Sequence, residues 1–270
     1  MYSRHLLAFL AATFVAFAHD GQNHAQAGSN FHWGQSARLG GGSVRTYVIT
    51  SKAKEEATGL RPPVEIGVEV PRAVLNSLPD DPKALTMDFP IQARNTPFQF
   101  MMFDWNPQGH EPAGIYDQPH FDFHFYMQDL DDVMAIRPGN CAGLDCEDFA
   151  RATKPVPNEF RPQGYIDVGS VVPFMGNHLI DPTSPEFNGQ RFTSTWIYGA
   201  YDGQITFYEP MITRHTLINR PNHCETLKLP RSYSTTGYYP KTYCTSYNEE
   251  TGMHRVYIKD FEYRIAPQAR

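Results

Sequence analysis

The chain has 270 residues, with 29 acidic against 23 basic side chains, a net charge of −6 at pH 7 and 4 cysteines. Without a surplus or a run of Lys and Arg it has no footprint for neutralising phosphates, which argues against nucleic acid as a partner. Aromatic content of 13% with 22 Pro and 20 Gly disfavours a helical bundle and predicts a mainly β fold, a barrel or a sandwich, with a few short helices.

At the N-terminus, Arg4 precedes an apolar run over residues 6–18, which suits a signal-peptide h-region and is too short for the ~20 residues of a membrane span. Cleavage after Ala18 is preferred and cleavage after Ala27 is the alternative; both imply a secreted or periplasmic protein. No later stretch is apolar enough to span a bilayer. Residues 19–43 are polar and end in Gly40-Gly41-Gly42, so they read as a flexible lead-in, and one β-rich domain is expected over 44–270.

Within that domain, alternation predicts a strand over 64–70, a short helix over 73–78 opened by Pro71, and strands over 85–89 and 98–105. One helical turn is expected near 148–153 and a strand over 165–172. Residues 193–200 and 204–213 flank Asp202-Gly203, a strong hairpin signal. A second hairpin is expected between 238–247 and 253–265. All four cysteines lie in the exported part, where thiols pair. Of three connectivities, Cys141–Cys146 and Cys224–Cys244 are expected, with zinc on the four thiols as the rival reading.

The segment with the most chemistry is Pro119-His120-Phe121-Asp122-Phe123-His124-Phe125-Tyr126. A strand's period of two places His120, Asp122, His124 and Tyr126 on one face and the three phenylalanines on the other. The Phe face is expected in the core. Two imidazoles and a carboxylate on the opposite face are costly to bury unless metal, water or hydrogen bonds satisfy them. His120 and His124 would lie ~13 Å apart in a flat strand, so both reach one ion only if the strand bulges or coils.

Further ligands are sought in other segments. His178 follows a Gly-containing turn, Glu209 sits in the second strand of the predicted hairpin, and His110-Glu111 lies just upstream. His120, Asp122, His124 and His178 are the expected metal ligands around one cavity, with Glu209 or Asp122 as the proton-moving catalytic group. The ligand types fit a divalent ion among Zn, Fe, Mn and Cu. No Gly-x-Ser-x-Gly elbow, Walker loop or dinucleotide fingerprint occurs to support other chemistries.

These runs resemble the cupin pattern in part. Gly114-x5-His120 and the Pro173-to-His178 spacing match, while the histidine-x-histidine of the first motif is replaced by His120-Phe121-Asp122-Phe123-His124 and the second motif's Gly sits one residue late. The chain more closely resembles a family of exported bacterial domains with members in Thermus, over about residues 60–215, through the runs at 110–116, 119–126, 173–183 and 196–213. That resemblance implies a shared domain and carries no reaction with it. Two functions follow as expectations: a metal-dependent enzyme acting on a small molecule, or a non-catalytic metal- or ligand-binding β-domain, with a homo-oligomer open to either.

Overall fold

Alternating apolar and polar residues, punctuated by Gly and Pro, break the described residues into sixteen short strands rather than a few long elements. The computed structural model describes residues 30–268; the expected signal segment and both cleavage sites lie outside them. In chain order the elements are β1 (Phe31–Leu39), β2 (Gly42–Thr50), β3 (Pro63–Pro71), α1 (Arg72–Leu75), β4 (Lys83–Asp88), β5 (Phe100–Asn106), β6 (His120–Tyr126), α2 (Leu130–Met134), β7 (Pro138–Cys141) and α3 (Cys146–Ala152). There follow β8 (Ile166–Val172), β9 (Gly176–Ile180), β10 (Ser194–Tyr201), β11 (Gln204–Thr213), α4 (Arg214–Asn219), β12 (His223–Thr226), β13 (Gly237–Tyr239), β14 (Thr242–Asn248), β15 (Met253–Lys259) and β16 (Glu262–Arg264).

Two antiparallel sheets result, one ordered β1-β2-β3-β15-β14-β12 and the other β4-β5-β6-β11-β10-β9-β8, with β13 and β16 paired apart. A single apolar core joins them, with Val48, Ile66, Val68, Val256 and Ile258 from the first sheet and Met101, Phe103, Phe121, Phe123 and Phe125 from the second. The sheets do not close into a barrel, so the sandwich is the expected architecture that forms. The Phe face of β6 lies in the core as its alternation predicts.

The lead-in expected over 19–43 is corrected over 31–43 by β1 and the start of β2, while residues 19–29 lie outside the described ones. Gly40 and Gly41 are not linker glycines: Leu39 pairs with Gly42, and the two residues between them close a hairpin, with Gly40 at φ +54°, a conformation that favours glycine. Phe31 stacks on Tyr47 at 4.9 Å, and the Arg45 guanidinium lies 4.8 Å from the Trp33 ring centre. The hairpin at Asp202-Gly203 forms as β10–β11. The second one forms as β14–β15, with its outer ends split off into β13 and β16. Cysteines pair as expected, Cys141 with Cys146 and Cys224 with Cys244; the latter two are directly opposed on β12 and β14. No helix among the described residues is long and apolar enough to cross a membrane.

One buried histidine away from β6 yields a stability prediction. His254 on β15 is only 2% exposed and rests 4.3 Å from the Tyr247 ring. Burial, reinforced by the charge of Arg72, lowers its pKa from 6.5 to about 4. Below pH 6.5 the unfolded chain therefore binds a proton that the folded chain refuses, so stability falls with pH and the loss is complete near pH 4, by up to about 3 kcal/mol. In His254→Phe the dependence of unfolding free energy on pH between 6.5 and 4 should flatten. An unchanged slope, measured by urea unfolding at a series of pH values, would rule this histidine out as its source.

Candidate metal centre

β6 is central in its sheet, held by β5 on one side and β11 on the other, and is buried on both faces. Its pairing with β5 runs from Phe100↔Tyr126 to Asn106↔His120 without a register shift. The strand is thus regular, and period two puts His120, Asp122, His124 and Tyr126 together on the side away from the inter-sheet core. A second apolar layer covers that side. Tyr116, Phe192, Ile197 and Met211 pack at one end, and Phe100, Met102, Tyr126, Val133 and Phe207 at the other.

Because β6 does not bulge, the expected ligands do not gather round one point; they fall into two groups. In the first, His110, His120 and Asp122 bring ligand atoms within 4.8 Å of one another; in the second, His124, His178 and Glu209 do the same. His120 Nε2 lies 3.1 Å from Asp122 Oδ1, and His110 Nε2 lies 3.3 Å from Asp122 Oδ2. In the second group His124 Nε2 is 3.3 Å from Glu209 Oε1. Glu209 arrives because the register of β11, Phe207↔Tyr126 and Met211↔Asp122, sets it opposite His124. His178 arrives on β9, opposite Gly199 of β10. Gly199 is required there: a Cβ would stand 2.0 Å from the Phe207 ring, which lies against both His124 and His178.

All four imidazoles are oriented the same way. Nδ1 of His110 is 2.7 Å from the Glu111 carbonyl oxygen, and Nδ1 of His120 is 2.6 Å from that of Gln118. Nδ1 of His124 meets the Met102 carbonyl at 3.3 Å, and Nδ1 of His178 meets that of Ser170 at 2.9 Å. A carbonyl can only accept, so each Nδ1 donates, and in the neutral ring each Nε2 carries a lone pair.

Several buried polar atoms of the face have no hydrogen-bond partner: His120 Nε2, Asp122 Oδ1, Glu209 Oε2 and Asp104 Oδ2. The 3.1 Å approach of His120 to Asp122 is close but not aligned as a hydrogen bond. Electrostatics separates the carboxylates. Burial, then the charge of Asp122, pushes Asp104 up to about 8, and burial with the charges of Asp122 and Asp104 raises Glu209 well above the carboxylate range. Burial alone would raise Asp122 too, but His110 and His120 on its two oxygens outweigh it and hold its pKa well below the usual range. Burial brings His124 down to about 4 and also lowers His178. For His110, burial works downward and the Asp122 carboxylate overcomes it, leaving the pKa raised.

Two neighbours of the site were not singled out in the sequence. Asp104 on β5 is opposite Asp122 and 3.4 Å from His124 Nδ1. Asn106 donates to Asp122 Oδ2 at 2.7 Å. Glu111 is turned away to cap its own loop, accepting from the Ala113 amide at 2.6 Å, and Tyr126 is a packed aromatic whose hydroxyl donates to the Phe174 carbonyl. Fold and site together define a disulfide-bonded β-sandwich with two histidine–carboxylate groups, buried but for His110, that could hold a metal ion. No protein-family model, curated protein or solved structure matches the chain.

Proposed function

We propose that this is an exported divalent-metal-binding protein, a member of the exported domain family its motifs resemble, with its ion held on the outer face of β6. The observation that carries the reading is the shared orientation of the four histidines. An imidazole whose Nδ1–H is tied to a main-chain carbonyl presents Nε2 as a fixed ligand, the arrangement that metal-binding histidines adopt. Separations of 3.1 and 3.3 Å between Nε2 and carboxylate oxygens also suit the roughly 3.3 Å edge of a tetrahedron with ligand distances of about 2.0 to 2.1 Å. A hydrogen-bonded polar network would not leave His120, Asp122, Glu209 and Asp104 with unpartnered buried atoms. Imidazole and carboxylate ligands suit Zn, Fe, Mn or Cu.

A specific observation favours catalysis over storage as the second reading. The His110 side chain is 39% exposed, while the other ligands are buried, so a small molecule could approach the first group past His110. Three protein ligands leave a coordination position open. The bound ion would supply Lewis acidity there. Asn106, donating to Asp122 Oδ2, would fix the Asp122 carboxylate, while Glu209, enclosed in the second group, is out of reach of a substrate.

Metal analysis of the protein recovered from an oxidising export compartment tests the reading. Wild type should carry stoichiometric divalent metal, and His120→Ala and His124→Ala should each lower the content. Full occupancy in both variants, or a folded wild type that takes up no divalent ion, would overturn it. Azide added to the Cu²⁺-loaded protein should shift its visible spectrum if a position is open; no shift would leave a binding protein without catalysis.

A further inference from the structure

The two groups are adjacent members of one face. Asp122 belongs to the first and His124 to the second, and residues two apart on a strand repeat at roughly 7 Å. Between them stands Asp104, directly across the β5–β6 ladder from Asp122, with its Oδ2 3.4 Å from the His124 ring. That oxygen is buried and has no hydrogen-bond partner. Like charges directly opposite one another on neighbouring strands destabilise a sheet, so the Asp104–Asp122 pair needs a proton or a cation near it.

No Lys or Arg supplies the cation. The ion pairs of Asp104, Asp122 and Glu209 among the described residues are all with histidines, and none is with Lys or Arg. Each group has buried polar atoms without a hydrogen-bond partner, His120 Nε2 and Asp122 Oδ1 in the first and Glu209 Oε2 in the second, with Asp104 Oδ2 between them, and buried polar atoms left unsatisfied are unfavourable. An ion at one group alone would leave the unpartnered atoms of the other unsatisfied. Resting on the metal-binding reading above, we infer that the face is a two-ion centre: His110, His120 and Asp122 hold one ion, His124, His178 and Glu209 hold the other, and Asp104 is the carboxylate between them. The first ion faces the opening at His110 and the second is enclosed, so they differ in exchange: chelator should strip the first before the second.

Native mass spectrometry of the full exported chain titrated with Zn²⁺, and electron paramagnetic resonance of the Cu²⁺-loaded protein, test the inference. Wild type should bind two ions; His110→Gln, at a partly exposed loop position that folding tolerates, should bind one, as should His178→Gln. The Cu²⁺ spectrum of wild type should show magnetic coupling between the two ions, and either variant should give that of an isolated ion. Asp104→Asn should weaken the coupling or the second binding step while leaving at least one ion bound. A wild type that saturates at one ion and loses it in both variants would overturn the two-ion centre and keep the metal-binding reading. Two bound ions without magnetic coupling would also overturn it, whereas no bound ion would overturn the reading beneath it.

Discussion

Phe123→Ala is expected to lower the unfolding free energy by about 3 to 5 kcal/mol, the range for removing a fully buried aromatic ring from a core. Phe123 is 0% exposed, its ring meets Phe103 edge-on at 4.9 Å, and it lies in the cluster that joins the two sheets. The lost transfer energy is joined by a cavity term, because β6 is pinned on both sides by β5 and β11 and cannot collapse into the space. Against a typical total of 5 to 15 kcal/mol, that loss brings the fold close to its limit. Val168→Ala, on the exposed part of β8, should change stability by no more than about 0.5 kcal/mol. Urea unfolding of both variants gives the comparison, with equal slopes required for it to hold. A Phe123→Ala loss below about 1 kcal/mol would mean that the Phe face of β6 does not pack in the core.

How far the fold and site could be read from the sequence depended on whether the deciding contacts are local. The faces of β6 follow from strict alternation over 120–126, and the β10–β11 hairpin from Asp202-Gly203, both local signals. The β1–β2 hairpin was hidden because three consecutive glycines look alike in a linker and in a two-residue turn; what distinguishes them is the aromatic packing of Phe31 and Trp33 on β2. The division into two ligand groups was implicit in the ~13 Å between His120 and His124 in a regular strand. Whether the strand bulges is settled by its register with β5, a non-local fact. Glu209 stood out as a candidate, but its partner His124 is fixed only by the β6–β11 pairing. Asp104 was legible and missed: it is the lone carboxylate in the apolar run Phe100-Met101-Met102-Phe103-Asp104-Trp105, and a charge in a strand buried on both faces calls for a partner.

Loading with metal should raise the unfolding free energy more than any single side chain of the face contributes, and by an amount that depends on free metal concentration. A ligand that binds only the folded state stabilises it by RT ln(1 + [L]/Kd), about 2.7 kcal/mol per ion at a free concentration 100 times Kd. The premise that the unfolded chain competes poorly is met by topology. The ligands come from the loop at His110, from β6, from β9 and from β11, and are assembled only when those strands pair. The metal-free face is also strained in a way that loading relieves, because its buried carboxylates and imidazoles have unpartnered atoms, each of which carries a desolvation penalty of about 1 to 3 kcal/mol. Thermal unfolding in increasing Zn²⁺ should therefore show a midpoint that keeps rising past stoichiometric addition, and a chelator should reverse it. In His124→Ala the rise should be reduced while the disulfides and the β-sheet signal in circular dichroism persist. A midpoint that does not respond to Zn²⁺, Mn²⁺, Fe²⁺ or Cu²⁺ in the wild type would show that no ion couples to this fold, and the unpartnered atoms of β6 would then need buried water instead.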